Sequence, residues 1–111
     1  MPSSSEVALQ DIAEHIVLAR LWTNGHAIET FREDRKTFYA VTRCLAIISE
    51  AVRRLSPVIM ERHPDIPWPQ IRAAGNIYRH QYDDVLEQDV WDTVTNRLSG
   101  LETMVAEELR A

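Results

Sequence analysis

Several features that would narrow the fold class are scarce or missing in this sequence. Its one cysteine, Cys44, cannot form an internal disulfide and lies in an apolar helical pattern, so a buried, inert thiol is expected. Three glycines and five prolines in 111 residues are too few for a fibrous or low-complexity chain. No apolar run approaches the roughly 20 residues of a transmembrane helix, and no basic-then-apolar leader opens the chain. These absences predict a soluble cytoplasmic protein without membrane contact.

Lysine is nearly absent as well, because Lys36 is accompanied by eleven arginines. The formal net charge is −5, so the chain lacks the overall positive charge that is typical of proteins that bind nucleic acid. The planar guanidinium group of arginine nevertheless suits phosphate. Composition alone favours a simpler explanation, a coding bias toward arginine, so a phosphate-binding function has to be argued from the positions of particular arginines.

The chain length suits a single domain, 1–111, since no linker and no internal repeat divides it. Apolar residues recur at intervals of three and four, a pattern that predicts helices, and no strand-like alternation interrupts them. The sequence therefore predicts an all-α, up-and-down bundle of four to five helices. A domain of this size buries a limited core, so further burial through self-association is expected.

Capping residues and helix breakers predict where the helices begin and end. A serine among residues 3–5 is expected to cap the first helix, which stops near Asn24-Gly25. Residues 26–34 are predicted to be a short connection. Asp34 is a good cap for the second helix, and Ser56-Pro57 ends it, because the residue before proline disfavours helical geometry.

The second half of the chain is predicted to contain two further long helices. A short helical turn over 58–62 and a proline-rich connector over 63–69 lead into a helix over roughly 68–80. The last helix begins between residues 86 and 89 and continues to Leu109.

The helix over 68–80 carries an unusual polar face. On a helical wheel, Arg72, Asn76, Arg79 and Asp83 fall within a narrow arc, with His80 at one edge. The face offers guanidinium, amide and imidazole groups instead of the lysine and glutamate of an ordinary solvated helix. Such a set can bind an anion. Spacing alone still favours a structural or solvated role for His80 over a catalytic one.

Gly75 lies at the other edge of this arc and requires a reason, because glycine within a helix costs roughly 1 kcal/mol relative to alanine. Ala73 and Ala74 precede it, so the simplest reason is close approach of another backbone or of a ligand. The approaching backbone could belong to a neighbouring helix of the same chain or to the same helix of a second subunit. The sequence leaves the two alternatives open.

Residues 50–85, EAVRRLSPVIMERHPDIPWPQIRAAGNIYRHQYDDV, and the later run VWDTVTNRLSGL resemble the HepT-like proteins of the HEPN superfamily. The stretches LQDIAEHI and FREDRKTFYAVTRCLAIISEAV also fit, so the resemblance covers nearly the whole chain. It implies a HEPN-like homodimer that is the toxin of a toxin–antitoxin pair. It further implies RNA cleavage without metal or cofactor through an R-x-x-x-x-H-x-Y motif, and silencing by an MNT-type nucleotidyltransferase antitoxin that attaches AMP to the motif tyrosine.

Carried over residue by residue, the family histidine is His80, the AMP-accepting tyrosine is Tyr82, and the asparagine that commonly follows the motif arginine is Asn76. The motif arginine itself has no counterpart, because position 75 is glycine. This departure affects the one residue that the family pattern assigns to the phosphate.

Two other arginines of the polar arc could supply the missing charge. Arg79 directly precedes the histidine, and Arg72 lies one turn before Asn76. The wheel, and not the family pattern, assigns both of them to the site. Asn76 and Asp83 are expected to support it.

Two functions of different classes follow. The first is a type VII-like toxin, a metal-independent endoribonuclease with His80 as acid/base and with RNA as substrate. The alternative is a catalytically impaired homodimer that binds the nucleotidyltransferase or a nucleotide, and a purely structural dimer ranks below both. The other histidines show no metal-ligand spacing and are expected to be structural or solvated: His15, His26 and His63.

Overall fold

A computed structural model describes residues 3–80 and 85–110 of the chain. Within these residues the structure is helical and contains no strand, so the predicted all-α bundle is confirmed. In chain order the helices are α1 (Ser4–Thr23), α2 (Ile28–Glu33), α3 (Arg35–Arg53), α4 (Pro57–Arg62), α5 (Trp68–His80), α6 (Glu87–Asp92), a π-helical turn (Thr93–Arg97) and α7 (Ser99–Arg110).

Side-chain caps begin the first long helices where the sequence predicted them. The Oγ of Ser3 accepts a hydrogen bond from the backbone N–H of Glu6 at 3.0 Å and so caps α1. Asp34 caps α3 by accepting from the backbone N–H of Thr37 at 3.0 Å. Helix α1 is followed by Gly25, whose φ of +84° is a conformation that glycine adopts without strain.

The predicted connection over 26–34 is wrong, because most of it forms helix α2. The hydroxyl of Thr30 accepts a hydrogen bond from the backbone N–H of Ala27 at 3.0 Å and closes the first turn. Phe31 is fully buried and packs against Phe38 of α3 and Trp91 of α6. A six-residue helix is too short to show the periodicity that identifies longer ones.

The predicted last helix is divided into α6, the π-helical turn and α7. The side chain of Thr95 donates to the backbone carbonyl of Trp91 at 2.7 Å, and Thr93 donates to that of Asp89 at 2.8 Å. A threonine hydroxyl that donates to the carbonyl four residues earlier competes with the backbone N–H for that carbonyl, which weakens the regular hydrogen bonding of the α-helix. Because of this division and of the short helix α2, there are more helices than the predicted four to five. The four long helical segments and the short turn at α4 agree with the prediction.

The core lies where α1 packs against α3 and α7, and α3 packs against α5. Its largest fully buried side chains come from α1, α2, α3, α6 and α7 and include Ile12, Ile16, Phe31, Val41, Val52, Val90 and Met104. Cys44 is part of this core, as predicted, and burial raises the pKa of its thiol to about 11. A thiol with this pKa is protonated at neutral pH and therefore a poor nucleophile.

An ion pair joins α7 to the end of α4. Arg62 donates two hydrogen bonds to the carboxylate of Glu108, at 2.6 and 3.0 Å, and Nε2 of His63 lies 2.7 Å from the same carboxylate. These contacts, that of Arg62 first, lower the pKa of Glu108 to about 2. His63 therefore has a structural contact, and Glu108 is ionised at neutral pH. No helix of the described chain is long and apolar enough to cross a membrane.

Candidate functional site

Helix α5 is held against the bundle by its first residue and by its apolar side. The Trp68 side chain is buried, and its Nε1 donates to the backbone carbonyl of His63 at 3.1 Å. Ile71 and Tyr78 are half-buried against the core. This attachment leaves the opposite side of α5, which includes Asn76, at the surface.

Gly75 allows α5 to approach α3 of the same chain. It is buried, and a Cβ atom at this position would overlap the Oγ of Ser49 and stand 2.7 Å from the Cβ of Ser49. The Ser49 hydroxyl donates to the backbone carbonyl of Ile71 at 2.8 Å, which fixes it in the contact. Of the two alternatives for Gly75, the neighbouring helix of the same chain is therefore the one observed. The glycine gives no evidence for a second subunit.

Four polar side chains of α3 and α5 form a hydrogen-bonded group that we call the arginine cluster: Glu50, Arg53, Asn76 and Arg79. Arg79 donates to the carboxylate of Glu50 at 2.9 Å and to Oδ1 of Asn76 at 2.8 Å. Arg53 donates to the same Oδ1 at 3.1 Å. Two guanidinium groups therefore converge on one amide oxygen beside the buried glycine.

The structure brings two of the predicted site residues, Asn76 and Arg79, into direct contact. The guanidinium group of Arg72, by contrast, lies against α4, where it donates to the Sδ of Met60 at 2.9 Å. The contribution of Arg72 to the arginine cluster is its backbone carbonyl, which accepts from Arg53 at 3.2 Å.

His80 is the last residue of α5 and is exposed to solvent. It lies four residues after Asn76, so the two side chains share one face of the helix. The remaining predicted site residues, Tyr82 and Asp83, lie outside the described residues. An exposed imidazole next to an arginine held by two hydrogen bonds can exchange protons with a ligand bound at this face.

Sequence reasoning missed Arg53 and Glu50, which lie outside the apolar stripe of α3. A signal is present in retrospect, because Glu50 and Arg53 are three residues apart and lie on the same side of Ser49 on the helical wheel. Asn76 and Arg79 repeat this spacing on α5 next to Gly75. Polar residues at matching intervals on two helices with a small-residue contact indicate a polar pairing along that contact.

The other side of α5 borders a cavity of about 210 Å³ with mainly apolar lining. Leu45, Ile66, Ile71 and Leu101 are among its walls, and the π-helical turn contributes Thr93. Arg53, Arg79 and His80 are not part of it. The cavity lacks the convergent guanidinium groups of the arginine cluster and is not the candidate anion site.

The described part of the chain contains no group of three or more histidine, cysteine, aspartate or glutamate side chains placed to hold a metal ion. The three remaining histidines make local contacts instead. His15 lies 2.7 Å from the backbone carbonyl of Asp11, and His26 lies 3.0 Å from the Thr30 hydroxyl.

Comparison with known proteins links this chain to a family of RNases. The family model described as "Ribonuclease HepT-like" matches residues 8–108. The protein named "Probable ribonuclease HepT" from Thermococcus cleftensis is 35% identical over 101 residues, which are 91% of this chain and 92% of that protein. "Putative RNase MJ0127" from Methanocaldococcus jannaschii is 31% identical over 81% of this chain and 74% of its own length. "Putative RNase TTE0752" from Caldanaerobacter subterraneus is 33% identical over 78% and 77%, respectively. No solved structure matches.

Proposed function

Because the chain belongs to the HepT-like ribonuclease family, we propose that it is the toxin of a type VII-like toxin–antitoxin pair and cleaves cytoplasmic RNA without a metal ion. One observation supports this proposal most directly. The exposed imidazole of His80 follows Arg79, whose guanidinium group is fixed by Glu50 and Asn76. An acid/base and a guanidinium group are thus carried by consecutive residues at the end of α5, and His80 shares a helix face with Asn76, to which Arg79 is bonded.

RNA carries its own nucleophile, so the reaction needs few protein groups. The ribose 2′-hydroxyl attacks the neighbouring phosphorus, the bond from phosphorus to the 5′-oxygen breaks, and the products carry a 2′,3′-cyclic phosphate and a 5′-hydroxyl. His80 takes the proton of the 2′-hydroxyl or delivers a proton to the departing 5′-oxygen. In a homodimer the two copies of His80 can supply both proton transfers.

A guanidinium group stabilises the charge that gathers on the phosphoryl oxygens during this reaction. The structure favours Arg79 over Arg72 for this role, since the Arg72 guanidinium group is engaged with Met60. Hydrogen bonds to Glu50 and Asn76 hold Arg79 in one position, which reduces the reorganisation needed when phosphate binds. Asn76 acts as the positioning residue.

The proposal predicts that the purified protein cleaves single-stranded RNA in the presence of EDTA. Replacing His80 with alanine is expected to reduce the rate by at least about 100-fold, the usual contribution of a general acid or base. Product formation is followed on a labelled oligonucleotide, and His26→Ala, which changes a histidine near α2, is the matched control. Equal cleavage by the His80→Ala variant and the wild type would exclude this histidine from the chemistry.

We also propose that an MNT-type nucleotidyltransferase silences the toxin by attaching AMP to Tyr82. A phosphodiester-linked nucleoside near His80 would occupy the space of the RNA and repel its phosphates. Co-expression with such a partner is expected to increase the mass of the chain by one or more AMP units. The Tyr82→Phe variant is expected to lose this increase, whereas Tyr39→Phe, a change at a tyrosine that is 61% exposed, keeps it. Full modification of Tyr82→Phe would place the acceptor elsewhere.

A second function is favoured by the contact at Gly75. The motif position for the phosphate-binding arginine is occupied here by a glycine packed on Ser49. A homodimer without catalysis, whose polar face binds the nucleotidyltransferase or a nucleotide, agrees with this loss. The RNA assay separates the two functions, because the binding function predicts no cleavage by the wild-type protein.

A further inference from the structure

We infer that Arg53 of α3 binds the RNA phosphate together with Arg79, beside position 75, where the motif arginine is missing. This inference rests on the proposed function, because it names a substrate contact within the same site. An arginine cannot enter position 75 without movement of α3, since even a Cβ atom there would overlap the Oγ of Ser49. Arg79 of the same helix brings one guanidinium group to this position, with its Nη1 3.3 Å from where the Cβ would lie. Arg53 brings a second guanidinium group from α3.

The guanidinium group of Arg53 contacts Asn76, the residue directly after position 75. Its Nη2 donates to Oδ1 of Asn76 at 3.1 Å and to the backbone carbonyl of Arg72 at 3.2 Å. A guanidinium group has five N–H donors, and both of these bonds use the same nitrogen. Arg53 is exposed, so its other donors can face a ligand in solvent.

The charges of the arginine cluster suit a single phosphodiester. Arg79 forms a salt bridge with Glu50 at 2.9 Å, so that the positive charge of Arg79 is partly balanced within the cluster. Arg53 has no salt bridge among the described residues. Two guanidinium groups and one carboxylate leave one net positive charge, which a phosphodiester of one negative charge neutralises.

The position of Arg53 relative to His80 also agrees with the inference. Asn76 and His80 are four residues apart in α5, and side chains at this spacing have Cβ atoms about 5–6 Å apart. The Arg53 guanidinium group is thus bonded to the residue one helical turn before the exposed His80. One nucleotide linkage can span a phosphate bound at Asn76 and a ribose hydroxyl near His80.

The test compares Arg53→Gln with Arg54→Gln, which removes a neighbouring, exposed arginine that pairs with Asp11 of α1 at 2.7 Å. Binding of a fluorescent single-stranded RNA is measured at several salt concentrations in a His80→Ala background, where cleavage cannot interfere. Arg53→Gln is expected to weaken binding about tenfold and to reduce the slope of log K against log salt by about 0.7, the value for one phosphate contact. Arg54→Gln is expected to leave the slope unchanged.

A merely structural role of Arg53 in joining α3 to α5 would lower the unfolding temperature without changing the salt slope. Arg53→Lys keeps the charge but loses the planar fork, so it is expected to restore the slope and only part of the affinity. Equal binding by Arg53→Gln and Arg54→Gln overturns the inference, as does the absence of RNA binding by the parent protein. If RNA binds through Arg53 but the wild type never cleaves it, the inference stands and the proposed catalysis fails.

Discussion

Restoring the family motif with Gly75→Arg is expected to destabilise the protein by about 2 kcal/mol, which lowers Tm by roughly 10 °C in a domain of this size. The introduced Cβ overlaps the Oγ of Ser49, a buried side chain whose hydroxyl is bonded to Ile71. Arginine has the better helix propensity by almost 1 kcal/mol. The overlap is expected to outweigh this gain, because α3 and α5 would have to separate. Thermal unfolding followed by circular dichroism measures the difference.

The matched control is Gly100→Arg, at a helical glycine of α7 where a Cβ atom meets nothing within 4 Å. This variant is expected to be as stable as the wild type or slightly more stable, since only the propensity term operates. Adding Ser49→Gly to Gly75→Arg removes the overlapping atoms and is expected to recover part of the loss. If Gly75→Arg unfolds at the temperature of Gly100→Arg, the contact with Ser49 does not explain the missing arginine.

The parts of the fold that sequence predicted depend on local interactions. The caps at Ser3 and Asp34 act over three residues, and their hydrogen bonds are present as expected. The long helices α3 and α5 follow from apolar spacing along one segment. The polar face of α5 also depends on spacing within one helix. A helical wheel therefore predicted that Asn76 and Arg79 lie close together.

The rest of the site depends on the register between two helices, which no local pattern sets. Arg53 and Asn76 are 23 residues apart, and Glu50 and Arg79 are 29 apart. Their contacts follow from where α5 crosses α3, and the crossing is set by the close approach at Gly75. The sequence showed that Gly75 required a neighbour, but it could not distinguish Ser49 of the same chain from a second subunit. Arg53 was missed for this reason.

Phe31→Ala is expected to have the largest effect on stability, a loss of about 3–5 kcal/mol, because it removes a fully buried aromatic ring. The ring centroid of Phe31 lies 5.9 Å from that of Phe38 and 5.3 Å from that of Trp91. It therefore joins α2 to both α3 and α6. Urea unfolding followed by circular dichroism gives the free energy of unfolding of the variant and the wild type.

The control for this loss is Leu21→Ala, at a leucine of α1 that is 60% exposed, for which a change below about 1 kcal/mol is expected. A similar small change for Phe31→Ala would mean that residues 26–34 are the simple connection that the sequence predicted. A large loss would instead make α2 part of the core, since only a side chain enclosed on all sides leaves a cavity when it is removed. The segment between α1 and α3 then contributes to the stability of the bundle on which α5 and its polar face depend.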